Sequence, residues 1–106
     1  MDKPANTPFE QIQLRDATEA VRALAHPLRM RMLALLSRHA SVNVHTIYTQ
    51  LGIEQSIASQ HLRILRQTHL VHTHRQGKEI YYLLDEQRLE KVAQVAGELA
   101  KMVQGK

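Results

Sequence analysis

The sequence predicts one mainly α-helical domain that carries a single small β-hairpin. Three observations lead to this fold class: the length of 106 residues, apolar side chains that recur every three or four positions along most of the chain, and a change to a two-residue period after Leu70. A chain of this length makes one domain with a modest core. The longer period is typical of helices and the shorter period of strands. The predicted order is therefore helix, helix, helix, helix, strand, strand, helix.

The N-terminal part of the chain contains an arm and two helices. Residues 1–8 hold two prolines and are predicted to form a flexible arm, which leaves residues 9–106 as the folded domain. One apolar stripe predicts the first helix: Leu14, Ala17, Val21 and Leu24. Pro27 suits the first turn of a second helix, where its missing N–H costs nothing. That helix, residues 27–38, is apolar on nearly every side, which predicts a buried, central position.

A pair of helices joined by a tight turn follows. Asn43 is a suitable N-cap for a short helix that ends near Leu51, and Gly52 is a suitable C-terminal stop. A longer helix then covers residues 55–68. Its inward stripe consists of Ala58, Leu62 and Leu65.

Two strands and a final helix complete the domain. The segments "LVHTHR" (residues 70–75) and "EIYYLL" (residues 79–84) have the β-branched and aromatic content of strands, and Gly77 supplies the permissive backbone of the turn between them. Asp85 is a suitable N-cap for the final helix. This helix carries a continuous apolar stripe that needs a partner surface: Leu89, Val92, Ala96, Leu99 and Val103.

Helices joined by a tight turn and followed by a basic hairpin predict a winged helix-turn-helix, a fold that reads double-stranded DNA. The net charge of +4 favours an anionic partner. Candidates for reading base edges are the outward residues of the second helix of the pair: Gln55, Ser56, Ile57, Ser59 and Gln60. Candidates for contacting the DNA backbone are Arg63, Arg66, Arg75, Gln76 and Lys78. The plainer alternative is a solvated polar face, which the turn, the basic hairpin and the charge together disfavour.

Three motifs carry a family resemblance. "LAHPLRMRMLALL", "LGIEQSIASQHLRILRQTHLV" and "RQGKEIYYLL" together resemble the ArsR/SmtB family of bacterial winged-helix repressors over about residues 14–100. The resemblance implies a homodimer built through the first and last helices, an operator with dyad symmetry, and repression relieved by a signal. The candidate interface residues are Leu14, Ala17, Val21, Leu89, Val92, Ala96, Leu99 and Val103. Glu54 departs from the family, which often has a capping Ser there. We expect Glu54 to cap the following helix less well than Ser while its charge complements the helix dipole.

The family's familiar metal sites are not matched. Where some relatives have Cys-x-Cys this chain has Asn43-Val44-His45, and its last helix begins Asp85-Glu86-Gln87 and contains no histidine. We therefore predict no cofactor. The segment "HLVHTH" leaves an alternative open, because His72 and His74 share one face of a strand and His69 precedes them. A solvated or phosphate-facing role is the competing interpretation, while His26 and His61 favour packing, capping or proximity to DNA.

Other functions are disfavoured or left open. The chain has no cysteine, hence no disulfide framework, and we recognise no targeting segment or membrane span, so we expect a cytoplasmic, DNA-associated protein. Ser59 and His61 are a close Ser/His pair on one helix but lack a nucleophile elbow, so we do not expect an enzyme. The alternatives are a protein-interaction module that binds no DNA and an atypical metal sensor. The releasing signal is open among an apolar ligand, a metal and no ligand.

Overall fold

The structure is a computed structural model that describes residues 14–104, without the side chains of Leu14 and Val103. The predicted arm at residues 1–8 lies outside the described residues, and so do those two candidate interface side chains. The elements, in chain order, are α1 (Leu14–Leu24), α2 (Pro27–Ser37), β1 (Val42–Asn43), α3 (Val44–Leu51), α4 (Gln55–Gln67), β2 (Val71–Gln76), β3 (Glu79–Leu84) and α5 (Glu86–Gln104).

The predicted order is confirmed, with one additional strand. The strands form an antiparallel sheet in the order β1-β3-β2. β1 is only two residues long and pairs with β3 through Val42↔Tyr82 and Asn43↔Tyr81. Two residues show no alternation that a sequence pattern can reveal, so the prediction found the hairpin and missed this strand.

Local capping explains why the helices begin and end where they do. The Asn43 side chain accepts a hydrogen bond from the backbone N–H of Thr46 at 2.8 Å, which caps α3. Gly52 ends that helix with a φ of +67°, in the left-handed region that suits glycine. At the last helix, Asp85 Oδ1 accepts from the N–H of Arg88 at 2.9 Å. The predicted roles of Asn43, Gly52 and Asp85 are thereby confirmed.

The core lies between the helices and the inner face of the sheet. α2 contributes Met32, Leu33, Leu35 and Leu36, and α4 contributes the predicted stripe of Ala58, Leu62 and Leu65. The expectation that α2 is buried nearly all round is wrong on one side, because Met30 is 57% exposed and Ala34 is also exposed. An apolar sequence shows that a helix side is suited to burial, and no other part of residues 14–104 covers this side of α2.

Arg88 connects its own helix, α5, to α1 and to the C-terminal end of α4. Its Nη2 donates to Asp16 Oδ2 of α1 at 3.1 Å, and its Nε donates to the carbonyl of Thr68 at 3.1 Å. Thr68 is the C-cap of α4, so the guanidinium also lies at the negative end of that helix dipole. The orientation of α4 relative to α1 and α5 is therefore fixed by charge-assisted hydrogen bonds as well as by apolar packing. Within residues 14–104, no helix has the length and apolar character needed to cross a bilayer.

Candidate nucleic-acid interface

The turn between α3 and α4 sets the angle of the helix pair. Gly52 donates its N–H to Thr49 and Ile53 donates to Tyr48, at 3.2 and 3.1 Å, which closes the end of α3. Glu54 occupies the N-cap position of α4 in extended backbone, and its side chain makes no capping hydrogen bond. The expectation that Glu54 caps poorly is confirmed. The first-turn N–H groups of α4 thus stay free of a side-chain cap, beside the exposed polar residues that follow.

The outer face of α4 carries the side chains that were predicted to read bases. Ala58, Leu62 and Leu65 point inward and are fully buried. The predicted base-reading and helix-borne backbone-contacting residues are all exposed: Gln55, Ser56, Ile57, Ser59, Gln60, Arg63 and Arg66. Within the described chain, the polar side chains of this set form no hydrogen bond or ion pair with another residue. Their donors and acceptors are therefore available to a partner.

The hairpin of β2, the Gly77–Lys78 turn and β3 is called the wing below. Its register runs from Val71↔Leu84 to Gln76↔Glu79. Because side chains alternate along a strand, Arg75 lies on the same face as the buried Val71, whereas Gln76 lies on the opposite, outer face. Arg75, Gln76 and Lys78 are all exposed at the end of the wing. The structure thus brings Arg75 and Lys78 together at the turn but separates Arg75 and Gln76 by face.

The histidines of "HLVHTH" do not converge on one point. His72 Nε2 lies 2.7 Å from Asp85 Oδ2, at the junction of the wing and α5. His74 stacks on Tyr81, with ring centroids 5.5 Å apart and planes within 10°. His69 is exposed in left-handed backbone, with a φ of +62°, between α4 and β2. Among residues 14–104, no group of three or more His, Cys, Asp or Glu side chains has the geometry to hold a metal ion.

The hydrogen bond between His72 and Asp85 was not predicted from the sequence, because the two residues are thirteen positions apart. Burial raises the pKa of Asp85. The N–H of Arg88, the hydrogen bond from His72 and the charges of both residues together lower it by more, so the net pKa is below the usual value. Asp85 therefore serves α5 and the wing at once. It caps the helix with one oxygen and binds a strand residue with the other.

Two histidine rings, His26 and His61, connect the start of α2 to α4. His26 Nδ1 accepts from the N–H of Leu28 at 3.2 Å, and the His26 ring contacts that of His61 with centroids 4.5 Å apart. His61 Nδ1 and Arg29 Nε are buried without a partner among the described residues. Burial, followed by the charges of His26 and Arg29, lowers the pKa of His61 below its usual value. The predicted capping and packing roles of His26 and His61 are confirmed.

The predicted interface stripes are partly used inside the chain. α1 packs along α5, and this contact buries Ala17 and Val92 to 2% and 0% exposure. Those two side chains offer a second copy no surface, because the sequence pattern shows an apolar side and not what covers it. Val21, Leu89, Ala96 and Leu99 are partly buried.

An apolar surface that the sequence analysis did not identify lies between α2 and α5. It lines a cavity of about 330 Å³. Its lining residues are Leu24, Met30, Leu33, Ala34, Ser37, Leu89 and Ala93. The signal available in the sequence was the apolar pair Met30 and Ala34, which lie four positions apart on one side of α2.

Comparisons with known proteins agree with this geometry. A family model for bacterial regulatory proteins of the arsR family matches residues 26–73. The transcriptional repressor PagR of Bacillus anthracis is 35% identical over 82 residues, covering 77% of this chain and 82% of PagR. The HTH-type transcriptional repressor SmtB of Mycobacterium tuberculosis is 36% identical over 86 residues, covering 81% of this chain and 62% of SmtB. A solved homodimeric winged helix-turn-helix DNA-binding domain from Mycobacterium bovis has a TM-score of 0.70 at 26% identity, covering 88% of this chain and 86% of that one.

Proposed function

Because this chain belongs to the arsR family of bacterial regulatory proteins, we propose that it is a homodimeric, sequence-specific transcriptional repressor that binds an operator with dyad symmetry. The observation that carries this proposal is the outer face of α4. Its polar side chains are exposed and unpaired within the described residues, and the basic turn of the wing follows on the same domain. We further propose that it acts in the cytoplasm and is not an enzyme.

The side chains of α4 suit the major groove. Gln55 and Gln60 are able to form two hydrogen bonds with an adenine edge, and Ser56 and Ser59 are able to bond base edges or phosphate. Ile57 is 39% exposed and presents an apolar group suited to a thymine methyl. Contacts to phosphate are assigned to the longer cationic and amide side chains: Arg63, Arg66, Arg75, Gln76 and Lys78. Phosphate contacts fix the register, whereas base contacts carry the sequence preference.

Pairing of two copies gives the specificity that one helix lacks. A single recognition helix reads few base pairs, so two copies on two half-sites are needed for selective binding. The similar domain from Mycobacterium bovis is homodimeric. For this chain we propose an interface made by the exposed sides of α1 and α5. The partly buried Val21, Leu89, Ala96 and Leu99 lie on these two helices.

We propose that the protein carries no resident metal or other cofactor. His72 is bound to Asp85 and His74 is stacked on Tyr81, so each already has a partner. A titration of purified protein onto its duplex tests this proposal and shows whether a metal is the releasing signal. It is done in the presence of Zn(II), Ni(II), Co(II) or a chelator. Unchanged affinity in every case supports a metal-free repressor. A change that the chelator reverses would contradict it and favour the metal-sensing alternative.

The experiment that tests the function is selection of duplexes from a random library, followed by affinity titration of the variants Gln60→Ala and Arg75→Ala. We expect a palindromic sequence to be enriched. Gln60→Ala should reduce the preference for that sequence over a shuffled one by about 1–3 kcal/mol. Arg75→Ala should weaken both duplexes equally and reduce the salt dependence by about one phosphate contact.

Gln67→Ala is the matched control, because Gln67 is an exposed glutamine two turns further along the same helix. It should leave the sequence preference unchanged. Equal losses on both duplexes for Gln60→Ala would refute its role in base readout. Failure to bind any duplex at low salt would favour the alternative function, a protein-interaction module.

A further inference from the structure

The wing extends beyond the strand that supports it. β1 pairs with β3 only at Val42↔Tyr82 and Asn43↔Tyr81. Past that register the hairpin continues through Arg75↔Ile80 and Gln76↔Glu79 to the turn. Residues 75–80 are called the wing tip, and all of them are exposed. A two-stranded ribbon is only marginally stable in water without a third strand or a packing surface. The position of the tip therefore depends on contacts other than the ladder between β2 and β3.

A side-chain bridge links the wing tip to the body of the domain. Asn43 Nδ2 donates to Glu79 Oε1 at 3.3 Å, and the Tyr81 hydroxyl donates to Glu79 Oε2 at 3.2 Å. Asn43 uses its other polar atom, Oδ1, to cap α3 through the N–H of Thr46. One asparagine thus joins the first helix of the helix-turn-helix to the carboxylate of the tip. We call the contacts of Asn43, Glu79 and Tyr81 the wing clamp.

The charge of Glu79 makes its position informative. Glu79 follows Lys78 and pairs across the hairpin with Gln76, the chain neighbour of Arg75. Both cations assigned to the DNA backbone, Arg75 and Lys78, therefore lie at the same tip. A carboxylate at the same tip repels phosphate and opposes the electrostatic attraction that drives DNA binding. If charge were its only effect, Glu79 would weaken binding. The two hydrogen bonds that it accepts supply an opposite effect, because they hold the tip in one orientation.

We propose that Glu79 and Asn43 are positioning residues for DNA binding. The wing clamp holds the tip in a fixed position relative to the helix-turn-helix, so that Arg75 and Lys78 reach phosphate while α4 lies in the groove. Neither clamp residue needs to touch DNA itself. Ordering the tip before binding reduces the conformational entropy lost on binding. This inference rests on the proposed function, since it requires the wing to contact the duplex.

The test is affinity for the selected duplex, measured by fluorescence anisotropy across salt concentrations. Glu79→Ala removes both the charge and the clamp, and it should bind about threefold to tenfold more weakly, with a salt slope reduced by about one phosphate contact. Glu79→Gln removes the charge but keeps an amide oxygen for Asn43, and it should bind at least as tightly as wild type. Asn43→Ser keeps a good N-cap for α3 but is too short to reach Glu79, so it should weaken binding like Glu79→Ala.

Two further measurements separate positioning from charge and from folding. The double variant Asn43→Ser with Glu79→Ala should bind no more weakly than either single variant, because both changes break one contact. Backbone order parameters from ¹⁵N relaxation should fall at residues 76–79 in Glu79→Ala and stay high in Glu79→Gln. Glu90→Ala, an equal charge change at an exposed site on α5, is the control and should not weaken binding.

Different outcomes would overturn the wing clamp alone or the proposed function as well. Tighter binding by Glu79→Ala, equal to that of Glu79→Gln, with Asn43→Ser unchanged, would show that Glu79 acts by charge alone and would overturn the inference. Weaker binding by Arg75→Ala together with unaffected Glu79→Ala would keep the proposed function and reject the wing clamp. Absence of duplex binding by the wild-type chain would reject both.

Discussion

Replacement of Arg88 by Ala tests how α4 is held against α1 and α5. The Arg88 side chain is 15% exposed and makes two charge-assisted hydrogen bonds, to Asp16 and to the carbonyl of Thr68. A hydrogen bond to a charged group contributes about 1.5–3 kcal/mol. The Asp16 side chain is 42% exposed, so solvent screens that pair and it contributes only about 0.2–1 kcal/mol. We expect Arg88→Ala to lower the free energy of unfolding by about 2–3 kcal/mol.

The assay is thermal and urea unfolding at one fixed protein concentration, since pairing of copies makes the melting temperature concentration-dependent. For a domain of this size the expected loss corresponds to a decrease in Tm of about 10–20 °C. Arg15→Ala is the control, because it removes an ion pair that is open to solvent: Arg15 Nε lies 3.6 Å from Glu19 Oε1, and the Arg15 side chain is 92% exposed. It should change the free energy of unfolding by less than about 0.5 kcal/mol. A loss below about 0.5 kcal/mol for Arg88→Ala, or equal losses for both variants, would refute the reasoning.

Further predictions concern glycine positions, the core and pH. Gly52→Ala should lower the free energy of unfolding by about 1 kcal/mol, because the backbone of Gly52 has a φ of +67°. Gly97→Ala should raise it by about 0.5–1 kcal/mol, because Gly97 lies inside α5 with open space around it and alanine favours a helix more than glycine does. Urea unfolding of both variants checks this contrast. Leu62→Ala should cost about 2–5 kcal/mol by leaving a cavity in the core, measured in the same way. The folded-state pKa of His61 is lowered, so the unfolded chain takes up this proton first as the pH falls below about 6.5. Stability should therefore decrease from pH 7.5 to 5.5, with a smaller decrease in His61→Gln; an equal decrease in both would show that another group is responsible.

Local signals predicted most of the fold. Asn43, Gly52 and Gly77 mark ends and turns through their own backbone preferences, so they act within a few residues and can be found in a sequence. The stripe of Ala58 and Leu62 is equally local, because one helical face repeats every three to four positions. The exposed polar face of α4 follows directly from that stripe.

Contacts between distant residues were not predictable in this way. Arg88 and Asp16 are 72 positions apart, and Asn43 and Glu79 are 36 apart, so no spacing rule connects them. The burial of Val92 within one chain could not be predicted either, because an apolar stripe looks the same in the sequence whether a neighbouring helix or a second copy covers it. Three-dimensional packing decides between these cases.

Hydroxyl-radical footprinting of the selected duplex tests most directly whether paired copies read DNA through α4 and the wing. We expect protected tracts related by a dyad, with half-site centres about one helical turn, 10–10.5 base pairs, or a multiple of it apart. The outer part of each protected half-site should be lost in Arg75→Ala, while the central part remains. A single asymmetric tract, or a footprint unchanged by both Gln60→Ala and Arg75→Ala, would contradict the proposed mode of binding.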